Sequence, residues 1–110
     1  MTFEVLITPQ AEADIRSIYQ FILQREGAGR ADSVLQELKK AILGLSRLPL
    51  RGKEPPELEL FGATDYLQIV SKPYRIIYFV QNVEVHVVVV ADGRRDFNSL
   101  LARRLREQIN

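Results

Sequence analysis

The spacing of apolar residues changes along the chain, and each change marks an element. Phe3-Glu4-Val5-Leu6-Ile7 is rich in β-branched and aromatic residues and predicts a short strand. Thr8 then fits a helix N-cap, and Pro9 fits the first helical position, where no N–H is needed. Ile15, Ile18, Tyr19 and Ile22 recur at the spacing of one helical face, with Asp14, Arg16 and Gln20 on other faces. Gly27-Ala28-Gly29 breaks this helix, and a second is expected to begin between Gly29 and Asp32. Its stripe is Leu35, Leu38, Ile42 and Leu45, and Pro49 marks its end. So short a break predicts an antiparallel helical hairpin.

The period then shortens. Residues 50–63, with Gly52, Pro55-Pro56 and Gly62, read as a loop in which Leu58, Leu60 and Phe61 pack back on the body. Three strands follow, Tyr66–Val70, Tyr74–Val80 and Val83–Val90, the last two forming a tight hairpin about Gln81-Asn82. Alternation sets Arg75, Ile77 and Phe79 against Tyr74, Ile76 and Tyr78. In the last strand it sets Val83, Val85, Val87 and Val89 against Glu84, His86, Val88 and Val90, and the helical hairpin is expected on the wholly valine face. Asp96 or Asn98 can cap a final helix with Leu100, Leu101 and Leu105 on one face and Arg103, Arg104 and Arg106 on the other. The expected fold is one α+β domain over residues 1–110, in the order β-α-α-β-β-β-α.

Composition narrows the chemistry. With 110 residues the chain can bury a core without staples, and with no Cys it has no disulfide, cysteine nucleophile or Cys-ligated metal. The N-terminus lacks a signal pattern and the apolar run at Val87–Ala91 is too short to span a bilayer, so a cytoplasmic protein is expected. A net charge of +1 gives a weak overall field, unlike that of a strong general nucleic-acid binder.

Few residues offer catalysis. His86 is the sole histidine and lies beside Glu84, which reads as a half-exposed strand pair. Glu54, Glu57 and Glu59 read as solvated, no metal set is evident, and Gly27-Ala28-Gly29 reads as a turn, not a phosphate cradle. The arginines are more informative. Arg75 lies early in its strand, and Arg94 and Arg95 lie in the turn Asp92-Gly93-Arg94-Arg95-Asp96. They serve either as local ion pairs or as a cationic grip on a phosphate or carboxylate.

These segments together resemble the ParE/RelE-type toxins of bacterial toxin–antitoxin pairs over nearly the whole chain. The residues that carry the resemblance are Thr8-Pro9-Gln10-Ala11-Glu12-Ala13-Asp14-Ile15, Leu48-Pro49-Leu50-Arg51-Gly52, Tyr74-Arg75-Ile76-Ile77-Tyr78 and Val90-Ala91-Asp92-Gly93-Arg94-Arg95-Asp96. The resemblance implies a curved, mainly antiparallel sheet packed on an N-terminal α-hairpin. It also implies one of two activities. The RelE-like branch cuts messenger RNA on the ribosome with a metal-free cationic set, and the ParE branch poisons DNA gyrase.

Arg75 and Arg95 match arginines of the nuclease branch, with Tyr66 a substitute proton donor. Two basic residues of that branch are replaced by Tyr66 and Gln68, and its C-terminal tyrosine by Leu101. A general acid or base contributes typically about 10²–10⁴-fold, so these departures place the chain nearer ParE, a binding toxin without cofactor or metal. An inactive member that only binds its antitoxin is the third reading. The expected target contacts are Arg94, Arg95, Asp96, Arg103 and Arg104. A ParD- or RelB-like antitoxin, itself the sole link to DNA, is expected on an apolar groove about Ile15, Ile18, Tyr19, Ile22 and Leu38.

Overall fold

A computed structural model describes residues 2–61 and 65–109. Strand β1 (Glu4–Ile7) leads into helices α1 (Pro9–Glu26) and α2 (Ala28–Leu43). Short 3₁₀ segments follow at Gly44–Ser46 and Pro56–Phe61. Strands β2 (Tyr66–Ser71), β3 (Tyr74–Gln81) and β4 (Glu84–Asp92) precede helix α3 (Phe97–Ile109). The Thr8 side chain accepts the Ala11 N–H at 3.2 Å, which gives α1 its expected cap. One residue, Gly27 at φ 90°, separates α1 from α2, so the second helix begins earlier than the Gly29–Asp32 window expected.

The sheet has the order β1-β4-β3-β2, with β1 parallel to β4 and the other pairs antiparallel. Its core lies on both faces. The hairpin contributes Ala31, Val34, Leu38 and Ile42 against Ile69, Ile76, Tyr78, Val85 and Val87. Helix α3 contributes Phe97, Leu100, Leu101 and Leu105 against Ile77, Val88, Val89 and Ala91. Each such large apolar side chain adds roughly 1.5–3 kcal/mol on burial. Leu58 is fully buried on the α3 side, as expected of a segment that packs back, while Gly62 and Ala63 and the side chains of Leu60 and Phe61 lie outside the described residues.

The expected alternation fails in β4. Val87 pairs with Tyr78 and Val89 with Ile77, so Val88 is an extra residue, a β-bulge. The bulge turns Val89 to the α3 side and Val90 to the hairpin side, the reverse of simple alternation. The β3–β4 turn also moves by one residue: Val83 is not the first residue of the strand but sits in the turn after Asn82, which takes φ 56°. Arg75, Ile77 and Phe79 share a face as expected, and it is the α3 face.

Candidate functional site

Because β1 stops opposite Val87, the rest of β4 has no strand neighbour on that side among the described residues. Buried edge groups need partners, and side chains supply them here. The Asp14 carboxylate, on α1, accepts the Val90 N–H at 3.0 Å. Arg104, on α3, donates to the Val88 carbonyl at 2.7 Å and to both Asp14 oxygens at 2.8 Å. Arg104 was expected on the solvated face, yet it is 8% exposed and joins α3 to α1 across the end of the sheet. Sequence reading missed Asp14. The available signal was a carboxylate at i−4 and i−8 from Ile18 and Ile22, inside the apolar stripe.

The groove next to this clasp has a volume of about 550 Å³. Ile18, Phe21, Ile22, Tyr74 and Val90 form its apolar part, and Arg94 and Arg95 stand at one side. Three contacts hold the charged turn in shape. Gly93 N–H donates to the Pro73 carbonyl at 2.9 Å, and Arg95 N–H to the Asp92 carbonyl at 3.2 Å. Arg94 grips the Asp92 carboxylate through Nη2 at 2.6 Å and Nε at 2.9 Å. These side-chain hydrogen bonds come first among the causes that hold Asp92 below the usual carboxylate range. Asp96 is occupied as the α3 cap, accepting Ser99 Oγ at 2.8 Å and Ser99 N–H at 3.2 Å, and these bonds lower its pKa. Arg95 is exposed and has no ion-pair partner among the described residues. The same holds for Arg103 on α3.

Arg75 lies on the other side of the sheet. Its guanidinium makes paired 2.7 Å bonds to Glu57, a 2.8 Å bond from Nε to Gln68, and stacks 3.8 Å over Phe97. Glu57 was expected in solvent, but its side chain is 19% exposed and the Arg75 hydrogen bonds are the first cause of its lowered pKa. A Cβ at Gly93 would meet Arg75 Cδ at 2.7 Å, so a larger residue there would have to push the Arg75 side chain aside. Tyr66 makes no hydrogen bond to this cluster among the described residues. Gln68 separates them on the same face, and Tyr66 packs edge-on against Phe79 with centroids 5.7 Å apart. Burial first, then the Asp65 charge, raises the Tyr66 pKa and makes it a weaker acid. His86 stacks on Phe79 at 4.7 Å and meets Glu84 at 3.1 Å, the half-exposed strand pair expected. Arg75 is thus committed to Glu57 and Gln68, Arg95 lines the groove, and Tyr66 packs on Phe79.

The hairpin residues also divide. Ile22 and Leu38 are 3% and 1% exposed and belong to the core, so they are not the open surface expected of them. Ile15, Ile18 and Tyr19 are half-buried, and Tyr19 donates its hydroxyl to Asp32 at 2.7 Å. Phe21, not singled out in the sequence, is 57% exposed in the groove.

Residues 5–97 match the model of the ParE toxin of the type II toxin–antitoxin system parDE. The chain belongs to this family. Among solved structures, a chain of the chromosomal ParDE system from P. aeruginosa is similar at 16% identity and TM-score 0.70, covering 83% of this chain and 96% of that one. A chain of the RelBE2 toxin–antitoxin complex from Mycobacterium tuberculosis is similar at 21% identity and TM-score 0.61, covering 86% and 95%. A mutant of the E. coli toxin RelE in the free state is similar at 18% identity and TM-score 0.66, covering 97% and 98%. At these identities the likeness is one of fold. No curated protein matches the sequence. This ParE/RelE-type chain is thus a member of a toxin family of type II toxin–antitoxin systems, and membership implies an antitoxin partner.

Proposed function

We infer that this ParE-family chain acts by binding, with DNA gyrase as its target and a ParD- or RelB-like antitoxin as its neutraliser. The observation that carries the reading is the separation of the cations. Arg75 is neutralised by Glu57 beneath α3, while Arg95 stands in the groove beside α1. A metal-free phosphodiester cleavage needs charges and proton donors at one point. Arg95 and Arg103 are exposed without ion-pair partners among the described residues, and Arg94 is exposed though held by Asp92, which suits a docking surface. The antitoxin would cover the apolar groove through Ile18 and Phe21, with Ile15 and Tyr19 beside it, and would supply the only DNA contact of the pair, in the cytoplasm.

The test is a supercoiling assay with purified gyrase alongside expression without the antitoxin. Inhibited supercoiling or trapped cleavage complexes, with intact messenger RNA, is the expected result. Arg95→Glu should weaken that inhibition while leaving thermal stability unchanged. Cuts in translated messages that vanish in Arg75→Ala would assign the chain to the nuclease branch. Unchanged growth on expression would make it an inactive member.

A further inference from the structure

The segment between α2 and β2 carries a second surface that the groove does not use. Residues 38–53 contain Lys39, Lys40, Arg47, Arg51 and Lys53 and no acid. Against the chain's net +1, this +5 leaves −4 on everything else. All five are exposed, and none has an ion-pair partner among the described residues. Among them stand Leu43, Leu48 and Leu50 at 63%, 61% and 72% exposure.

The backbone that presents these residues is pinned. Ser46 accepts the Phe3 N–H at 2.7 Å, Leu48 N–H reaches Gly44 at 3.2 Å, and Arg51 N–H reaches Leu48 at 3.2 Å. Gly52 N–H donates to the Tyr78 hydroxyl at 3.0 Å, and Lys53 and Gln68 exchange bonds of 3.0 and 2.7 Å. The leucines are therefore held outward by a fixed frame, and their exposure is built in. Leu50 lines two adjoining hollows of about 490 and 530 Å³, one shared with Phe3 and Leu48, the other with Tyr66 and Phe79.

We propose that this platform docks an acidic amphipathic polypeptide segment, with leucine-like side chains in the hollows and carboxylates on Arg47, Arg51 and the lysines. The uncompensated positive charge selects an anionic partner. The leucines select against a bare phosphate backbone, which offers them nothing, and the aromatic rings at the hollows, Phe3, Tyr66 and Phe79, are part-buried and not open faces for base stacking. The surface lies at the start of β4 and the Arg95 groove at its end, so the two can be occupied independently.

The test uses the whole chain and a fluorescent helical peptide of about four turns, with Leu at i, i+3 and i+4 and Glu elsewhere. Expected is saturable binding, weakened at least about tenfold both by L48S/L50S and by R47E/R51E, and amide NMR shifts confined to residues 43–53 and their neighbours. A peptide with Ser for every Leu should bind at least about tenfold more weakly. The proposal is overturned by no binding of the Leu/Glu peptide, by affinity unchanged in L48S/L50S, or by shifts centred on Arg95. Tighter binding of a single-stranded RNA of equal charge would likewise overturn it and assign the patch to nucleic acid. None of these outcomes bears on gyrase inhibition.

Discussion

At the scale of single residues, burial and pairing decide which charges are free. Arg104 and Arg103 are adjacent and have the same chemistry, yet one is fixed by Asp14 and the Val88 carbonyl and the other is exposed. The two sides of the clasp are unequal. Asp14→Ala would leave a buried guanidinium with only the exposed Glu107, 3.5 Å from its Nε, as counter-charge and free the Val90 N–H, and losing one member of such a pair typically costs about 3–5 kcal/mol. Arg104→Met keeps the apolar stem, and leaves Asp14 with the Val90 N–H; it should cost about 1–3 kcal/mol. Denaturant unfolding of both variants checks the order, and equal costs would show that Arg104 is not the buried charge described here.

At the scale of elements, the helices and strands were legible because caps and periods are local. Thr8-Pro9 starts α1 and Asp96 caps α3 as expected. What was not legible depends on contacts distant in sequence. The bulge at Val88 follows no rule of a valine run, since every register buries a valine, and only pairing with Tyr78 and Ile77 fixes it. Glu57 could not be matched to Arg75 because they stand eighteen positions apart, with the whole of β2 between them, and no local spacing rule joins them. That pair fastens the 3₁₀ segment Pro56–Phe61 to β3 and gives a pH prediction. Glu57 has its pKa lowered in the fold, so its contribution to stability is complete above the ordinary 4.5 and is lost as pH falls through the lower folded value. The melting temperature should thus drop in that acid range, and E57Q should show a smaller drop from a lower starting value. Parallel curves for the two proteins would rule out the linkage.

At the scale of the whole molecule, one sheet serves two cores. The hairpin buries Ile42 on one face, and α3 covers Ile77 on the other. Neither layer has another partner among the described residues, so each depends on the sheet to bury its apolar face. This predicts how damage combines. Ile→Val removes one methylene and typically costs about 0.5–1.5 kcal/mol. I42V and I77V touch different clusters, so their costs should add within about 0.5 kcal/mol. Unfolding should stay a single transition in the double variant, because loss of either layer exposes the sheet that holds the other. Denaturant curves followed by Tyr fluorescence and by far-UV circular dichroism check both points. Two separated transitions, with α3 leaving first, would mean that the sheet and hairpin stand without it, and the clasp between Asp14 and Arg104 would then be an ornament of the fold, not a tie between its layers.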